Sequence, residues 1–103
     1  MQCSVIIPTF RDTRIAQALE SIAKQTTVQL EVIVVDGANE PEAFKHLPSY
    51  PLPLSFIHEK DNGVYDAMNK GIAVAQGEWI YILGSDDVLA HENALAHLIA
   101  AGT

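Results

Sequence analysis

The chain has 103 residues, 49% of them hydrophobic: one small domain, or part of a larger one, with enough apolar material for a packed core. Its net charge of −7 lacks the basic face that nucleic-acid binding requires, so no nucleic-acid partner is expected. Cys3 is the single cysteine, which excludes an intrachain disulfide, and no apolar run approaches the roughly 20 residues of a membrane span. The N-terminus carries no basic start followed by a long apolar stretch, so a soluble, cytoplasmic protein is expected.

Cys3-Ser4-Val5-Ile6-Ile7 is a β-branched run stopped by Pro8, and it reads as a first strand buried on both faces. Asp12 or Thr13 suits the cap of a helix whose apolar positions are Ile15, Leu19 and Ile22, spaced four and three apart. Gln17, Glu20 and Lys24 fall on its wet side, and Gln25-Thr26-Thr27 closes it. Leu30 to Val35 is a second strand, ended by Asp36-Gly37. Strand, helix and strand make a βαβ unit with parallel strands and a right-handed crossover. Pro41 to Leu47 fits a short helix with proline in its first turn, after which Pro48, Pro51 and Pro53 keep the chain extended.

Leu54 to His58 alternates imperfectly and reads as a third strand near a sheet edge. After the polar loop Glu59-Lys60-Asp61-Asn62-Gly63, Asp61 or Asn62 can cap a helix over residues 64–75. Its expected buried stripe is Val64, Met68, Ile72 and Ala75, with Ala67 and Gly71 small enough for close approach to a sheet. Gly77 is the expected stop. Trp79-Ile80-Tyr81-Ile82-Leu83 reads as a strand buried on both faces, and Gly84-Ser85-Asp86-Asp87 follows it at once. A last helix over residues 91–100 carries Leu95, Leu98 and Ile99.

This order predicts an α/β fold, a mainly parallel sheet with helices on both faces. Parallel strands would end together, so one rim would gather Thr9, Asp36, Glu59, Asp61, Asp86 and Asp87. Ligands of open α/β sheets bind at that rim. A purely structural fold has no reason to concentrate like charge there. Adjacent carboxylates repel unless a cation, hydrogen bonds or open water offset the repulsion, so Asp86 and Asp87 are candidate ligands of a divalent metal; a solvated acidic turn is the plainer alternative. A glycine-rich dinucleotide loop, a P-loop and a G-x-S-x-G elbow are all absent. His46, His58, His91 and His97 have no metal-ligand spacing and read as surface or internally satisfied side chains.

Ser4-Val-Ile-Ile-Pro-Thr-Phe, Glu31-Val-Ile-Val-Val-Asp-Gly, Asn69-Lys-Gly-Ile-Ala-Val-Ala-Gln-Gly-Glu-Trp-Ile and Leu83-Gly-Ser-Asp-Asp resemble, in order, the successive blocks of family 2 glycosyltransferases. Glu59-Lys-Asp-Asn-Gly-Val-Tyr-Asp-Ala-Met-Asn-Lys-Gly resembles a subgroup associated with bacterial surface-polysaccharide synthesis. The resemblance implies a Rossmann-like GT-A nucleotide-sugar-binding half spanning residues 1–103. It implies metal-dependent, inverting transfer of a sugar from a nucleotide-sugar, with a UDP-sugar as the candidate donor, to a glycan or lipid-linked acceptor.

Carried over residue by residue, Pro8, Thr9 and Phe10 match the loop flanking the nucleotide base, and Asp36 matches the acid that hydrogen-bonds it. Asp66 and Lys70 match polar positions near the donor; an i, i+4 pair on a wet helix face is the alternative. Gly84-Ser85-Asp86 stands at the DXD position, with Gly84 in place of the first acid. Asp86 matches the acid that holds Mg²⁺ or Mn²⁺, and Asp87 follows it. An ion shared between Asp86 and phosphates should bind weakly without the donor. The resemblance places the general base in a later part of the chain, so residues 1–103 are expected to be a fragment. A sheet cut there would leave apolar surface, from which self-association is expected, and any peripheral membrane association would come through the missing parts.

Overall fold

A computed structural model describes residues 2–12, 14–25 and 28–102 of the chain. Four strands, β1 (Cys3–Thr9), β2 (Leu30–Asp36), β3 (Leu54–His58) and β4 (Trp79–Ile82), form one sheet in the order β3-β2-β1-β4. Every neighbouring pair is parallel, so all four C-terminal ends lie on one rim, as the sequence predicts. Three helices join or follow the strands: α1 (Ile15–Ala23), α2 (Val64–Val74) and α3 (Ala94–Gly102).

Strand periodicity separates two cores. Cys3, Val5 and Ile7 of β1 and Val32 and Val34 of β2 pack with Ile15, Ala18, Leu19 and Ile22 of α1 and Leu95 of α3. The intervening Ile6, Ile33 and Val35 turn to the opposite face and meet Ala67 of α2. The sheet is thus covered on both sides, and its two central strands read as continuous apolar runs for that reason. Each fully buried Ile or Leu of α1 contributes roughly 1.5–3 kcal/mol, which is what holds a helix of this length.

Pro8 lies within β1 rather than ending it, paired with Val35. The carbonyl of Thr9 accepts from Gly37 on the β2 side, and that of Ile6 accepts from Leu83 on the β4 side. By alternation Pro8 faces β4, beyond the Ile6–Ile82 pair where that ladder stops, so its missing N–H interrupts nothing.

Several local expectations are corrected. β4 is not buried on both faces: it is a sheet edge, with Ile80 44% exposed, and it stops at Ile82. On α2 the buried residues are Ala67 and Gly71, whereas Val64 and Ile72 are exposed. The helix lies too close to β1 for larger side chains there: a Cβ on Gly71 would sit 2.5 Å from Cγ2 of Ile6. The helix after Pro41 is a four-residue 3-10 turn, Pro41–Phe44. The last helix starts three residues later than expected and leaves Leu98 exposed. Neither Asp12 nor Asp61 caps a helix. Arg14 and Gly63 occupy those positions without a side-chain cap, and Thr13, Thr26 and Thr27 lie outside the described residues. Gly77 does not terminate α2, whose cap is Ala75; it passes close against Ser4.

Candidate functional site

The chain runs outward from β1 through β2 to β3, then returns past β1 to β4. The winding therefore reverses between β1 and β4, and ligands of open parallel sheets enter beyond the strand ends at such a reversal. Two adjoining clefts open on this rim. One, of about 360 Å³, lies over the reversal and is lined by Pro8, Thr9, Phe10, Asp12, Asp61, Gly63, Val64, Ala67 and Ser85. The other, of about 280 Å³, lies over β2; Asp36, Phe44, Arg11 and Ile15 are among its walls. Asp12 belongs to both.

Thr9 ends β1 at 6% exposure, and its Oγ1 is buried with no hydrogen-bond partner. Buried hydroxyls are nearly always paired, so the unpaired one at the end of β1 is an exception on this rim. Asp36 ends β2 at 1% exposure. Its Oδ1 accepts from the Ala38 amide at 3.1 Å; its Oδ2 accepts from the Glu40 amide at 2.6 Å and from His58 Nδ1 at 2.9 Å. The carboxylate therefore organises the turn after β2, and it also stands on the cleft wall.

The loop after β1 holds the chain's only two arginines, Arg11 and Arg14. Arg11 has the left-handed backbone of a tight turn (φ 54°), lies over the Phe10 ring and pairs with Glu40 across the second cleft. Arg14 donates from Nε and a terminal nitrogen to both oxygens of Asp12, at 3.0 and 3.1 Å. Those bonds hold the Asp12 carboxyl down at about 2, with help from the Arg14 amide. Ser85 Oγ donates to Asp12 Oδ2 at 2.9 Å, which clasps the loop after β1 to the turn after β4.

In that turn Ser85 is buried while Asp86 and Asp87 are exposed. A terminal nitrogen of Arg14 lies 3.9 Å from Asp86 Oδ2. A Cβ on Gly84 would lie 2.7 Å from Asp87 Oδ2 and 3.1 Å from Asp86 Oδ1, so both carboxylates fold back over the glycine. Among the described residues no three His, Cys, Asp or Glu side chains gather closely enough to hold a metal ion by themselves. Hard carboxylate oxygens nevertheless fit Mg²⁺ or Mn²⁺, which take the remainder of their shell from phosphate and water.

The predicted residues thus divide. Pro8, Thr9, Phe10 and Ser85 come together around the first cleft and Asp36 around the second. Asp86 and Asp87 follow on the same rim, and Asp86 is linked to Asp12 through Arg14. Asp66 and Lys70 line neither cleft. Asp66 accepts from the Asn62 amide, Lys70 donates to the Lys60 carbonyl, and the two lie 3.5 Å apart, so together they fasten residues 60–62 to α2. That fastening steadies Asp61, whose carboxylate packs against Gly37 where a side chain would collide with it. Asp12, Arg14 and His58 are rim residues that the sequence reading did not assign; the place of Asp12 just past the end of β1 is the one available signal.

Comparison with known proteins gives a consistent result. Residues 4–101 match the family model for Glycosyl transferase family 2. A PGL/p-HBAD biosynthesis glycosyltransferase of Mycobacterium tuberculosis is 38% identical over 102 residues, which is 94% of this chain and 40% of the relative. The glycosyltransferase GlyG of Streptococcus pneumoniae is 30% identical over 91 residues, 84% of this chain and 30% of the relative. The chain therefore spans well under half the length of these relatives. A solved structure of S. aureus TarS 1-349 in complex with UDP superposes with a TM-score of 0.72 at 27% identity, over 97% of this chain and 31% of that one. The match of fold, ordered sequence blocks and family model places this chain in glycosyl transferase family 2.

Proposed function

We propose that the chain forms the donor-binding part of a metal-dependent, inverting glycosyltransferase that takes a sugar from a uridine diphosphate sugar to a glycan or lipid-linked acceptor. The observation that carries this reading is the cleft at the point where the sheet reverses its winding, walled by Pro8, Thr9 and Ser85, with Asp86 beside it. The UDP bound to a structural neighbour supports it.

In this reading Pro8, Thr9 and Phe10 flank the base, and Asp36 accepts a base N–H on its remaining lone pair. Ser85, Asp86 and Asp87 stand where the diphosphate would lie. Asp86, with Asp87, would hold Mg²⁺ or Mn²⁺, which supplies neutralisation of the charge growing on the leaving diphosphate. Arg14, already beside Asp86, adds a cation on the same side. Asp66 and Lys70 serve the donor through the 60–62 loop. A donor of this kind places the work in the cytoplasm; among the described residues no helix is long and apolar enough to cross a membrane.

Calorimetry with UDP and Mn²⁺ tests the reading. Wild type should bind, and Asp86→Ala should lose the Mn²⁺-dependent part; equal binding by both proteins would remove Asp86 from the metal site. A second reading is a nucleotide-binding module without turnover of its own. Slow release of free sugar from UDP-sugar would decide for a catalytic chain, and its absence for a binding module.

A further inference from the structure

We propose that His58 is a positioning residue for base selection, locking the Asp36 carboxylate so that the cleft receives a single free acceptor. The inference rests on the nucleotide reading of the cleft.

Asp36 has two oxygens and about four lone-pair positions. Oδ2 is filled by the Glu40 amide and His58 Nδ1, while Oδ1 accepts from the Ala38 amide and keeps one position. Ala38 and Glu40 belong to the turn that Asp36 itself begins, and their amides tie the carboxylate to that turn alone. His58 comes from β3, 22 residues away, and ties it to the sheet. The imidazole is itself held: it stacks on Phe56 at 5.6 Å and 5° and lies 5.5 Å from Phe44, whose side chain also lines the cleft. Because a carboxylate only accepts, Nδ1 of His58 must carry its proton here.

The consequence is selectivity. Uracil presents a ring N–H where cytosine presents a bare ring nitrogen. A buried carboxylate with one acceptor position left rewards the first and repels the second, since a site built to accept a hydrogen bond leaves polar groups unpaired with the wrong partner. Without the His58 donor, Oδ2 regains a free position and the carboxylate can turn, so the distinction weakens even where binding survives.

The experiment is calorimetry of UDP and CDP, each with Mn²⁺, on wild type, His58→Phe and His58→Asn, with a melting curve for each. Phenylalanine keeps the stack on Phe56 and removes the donor; the asparagine amide N–H takes the place of Nδ1–H. The expected result is a preference for UDP in wild type, a loss of that preference by about tenfold in His58→Phe, and its return in His58→Asn. A merely structural role would lower the melting temperature and leave the UDP-to-CDP ratio alone, and that outcome overturns the proposal. If His58→Phe does not fold, His58→Gln replaces it, since its amide reaches the Nε2 rather than the Nδ1 position. Loss of preference in Gln with retention in Asn then supports the role, and retention in both overturns it. Failure of wild type to bind either nucleotide would instead overturn the donor reading itself, and His58 with it.

Discussion

The β2 side and the β4 side of the rim carry the same chemical group in opposite states. Asp36 is buried and holds three donors within 3.1 Å. Asp86 and Asp87 are exposed, and the Arg14 contact to Asp86 is a loose 3.9 Å. A carboxylate saturated by fixed donors is built before any ligand arrives; one left in water is free to take up a cation brought with the ligand. The rim thus pairs a half fixed by internal bonds with a half left open to water.

The sharpest way to break this contrast is Asp36→Ala. It strands two amides and the His58 donor, at about 3 kcal/mol, and should lower Tm by more than about 10 °C in a melting curve. Asp86→Ala should do the reverse: Tm moves by less than about 2 °C, while UDP affinity in Mn²⁺ falls at least about tenfold and UDP affinity in chelator is unchanged. Comparable Tm losses in the two variants would erase the distinction between the halves.

Acid titration probes the clasp between them. The folded Asp12 carboxyl titrates at about 2, below its ordinary value of 3.8, through its bonds to Arg14. The unfolded chain therefore binds the proton first, so the stabilisation is complete above about pH 4 and is lost as pH falls through about 2. Wild type should lose about 3 °C more over this interval than Asp12→Asn, the exposure of Arg14 keeping the difference small. The smallest effect is expected from Lys70→Ala: loosening residues 60–62 should weaken UDP binding by about two- to threefold, with little change in Tm. A loss as large as that of Asp86→Ala would give Lys70 a direct contact with the donor.

The strands were legible because β-branched runs such as Leu30 to Val35 have one good use, a sheet covered on both sides. Ile15, Leu19 and Ile22 marked the inner face of α1 by spacing alone. The same logic placed α2 but chose the wrong buried stripe, because it favours large apolar side chains, and here the sheet is so near that only Ala67 and Gly71 fit while Val64 and Ile72 face outward. β4 misled for a related reason: an apolar run does not announce whether a neighbour covers its edge. Asp36 and Asp86 could be placed on one rim from the order of elements, given parallel strands. The His58–Asp36 bond could not, since it depends on the lateral order β3-β2, which no local pattern encodes. Asp12 was hidden by its plausibility as a helix cap.

The bond from Ser85 to Asp12 joins residues 73 positions apart, and β1 pairs with β4 across a similar span. Loop closure over that distance must precede any reward from the contact, which places the first cleft among the late events of folding. During synthesis the first cleft has no wall on that side until β4 and its turn have emerged from the ribosome. A nascent chain ending before residue 85 could hold β1, β2 and the Asp36 turn, and still lack the Ser85 wall of that cleft.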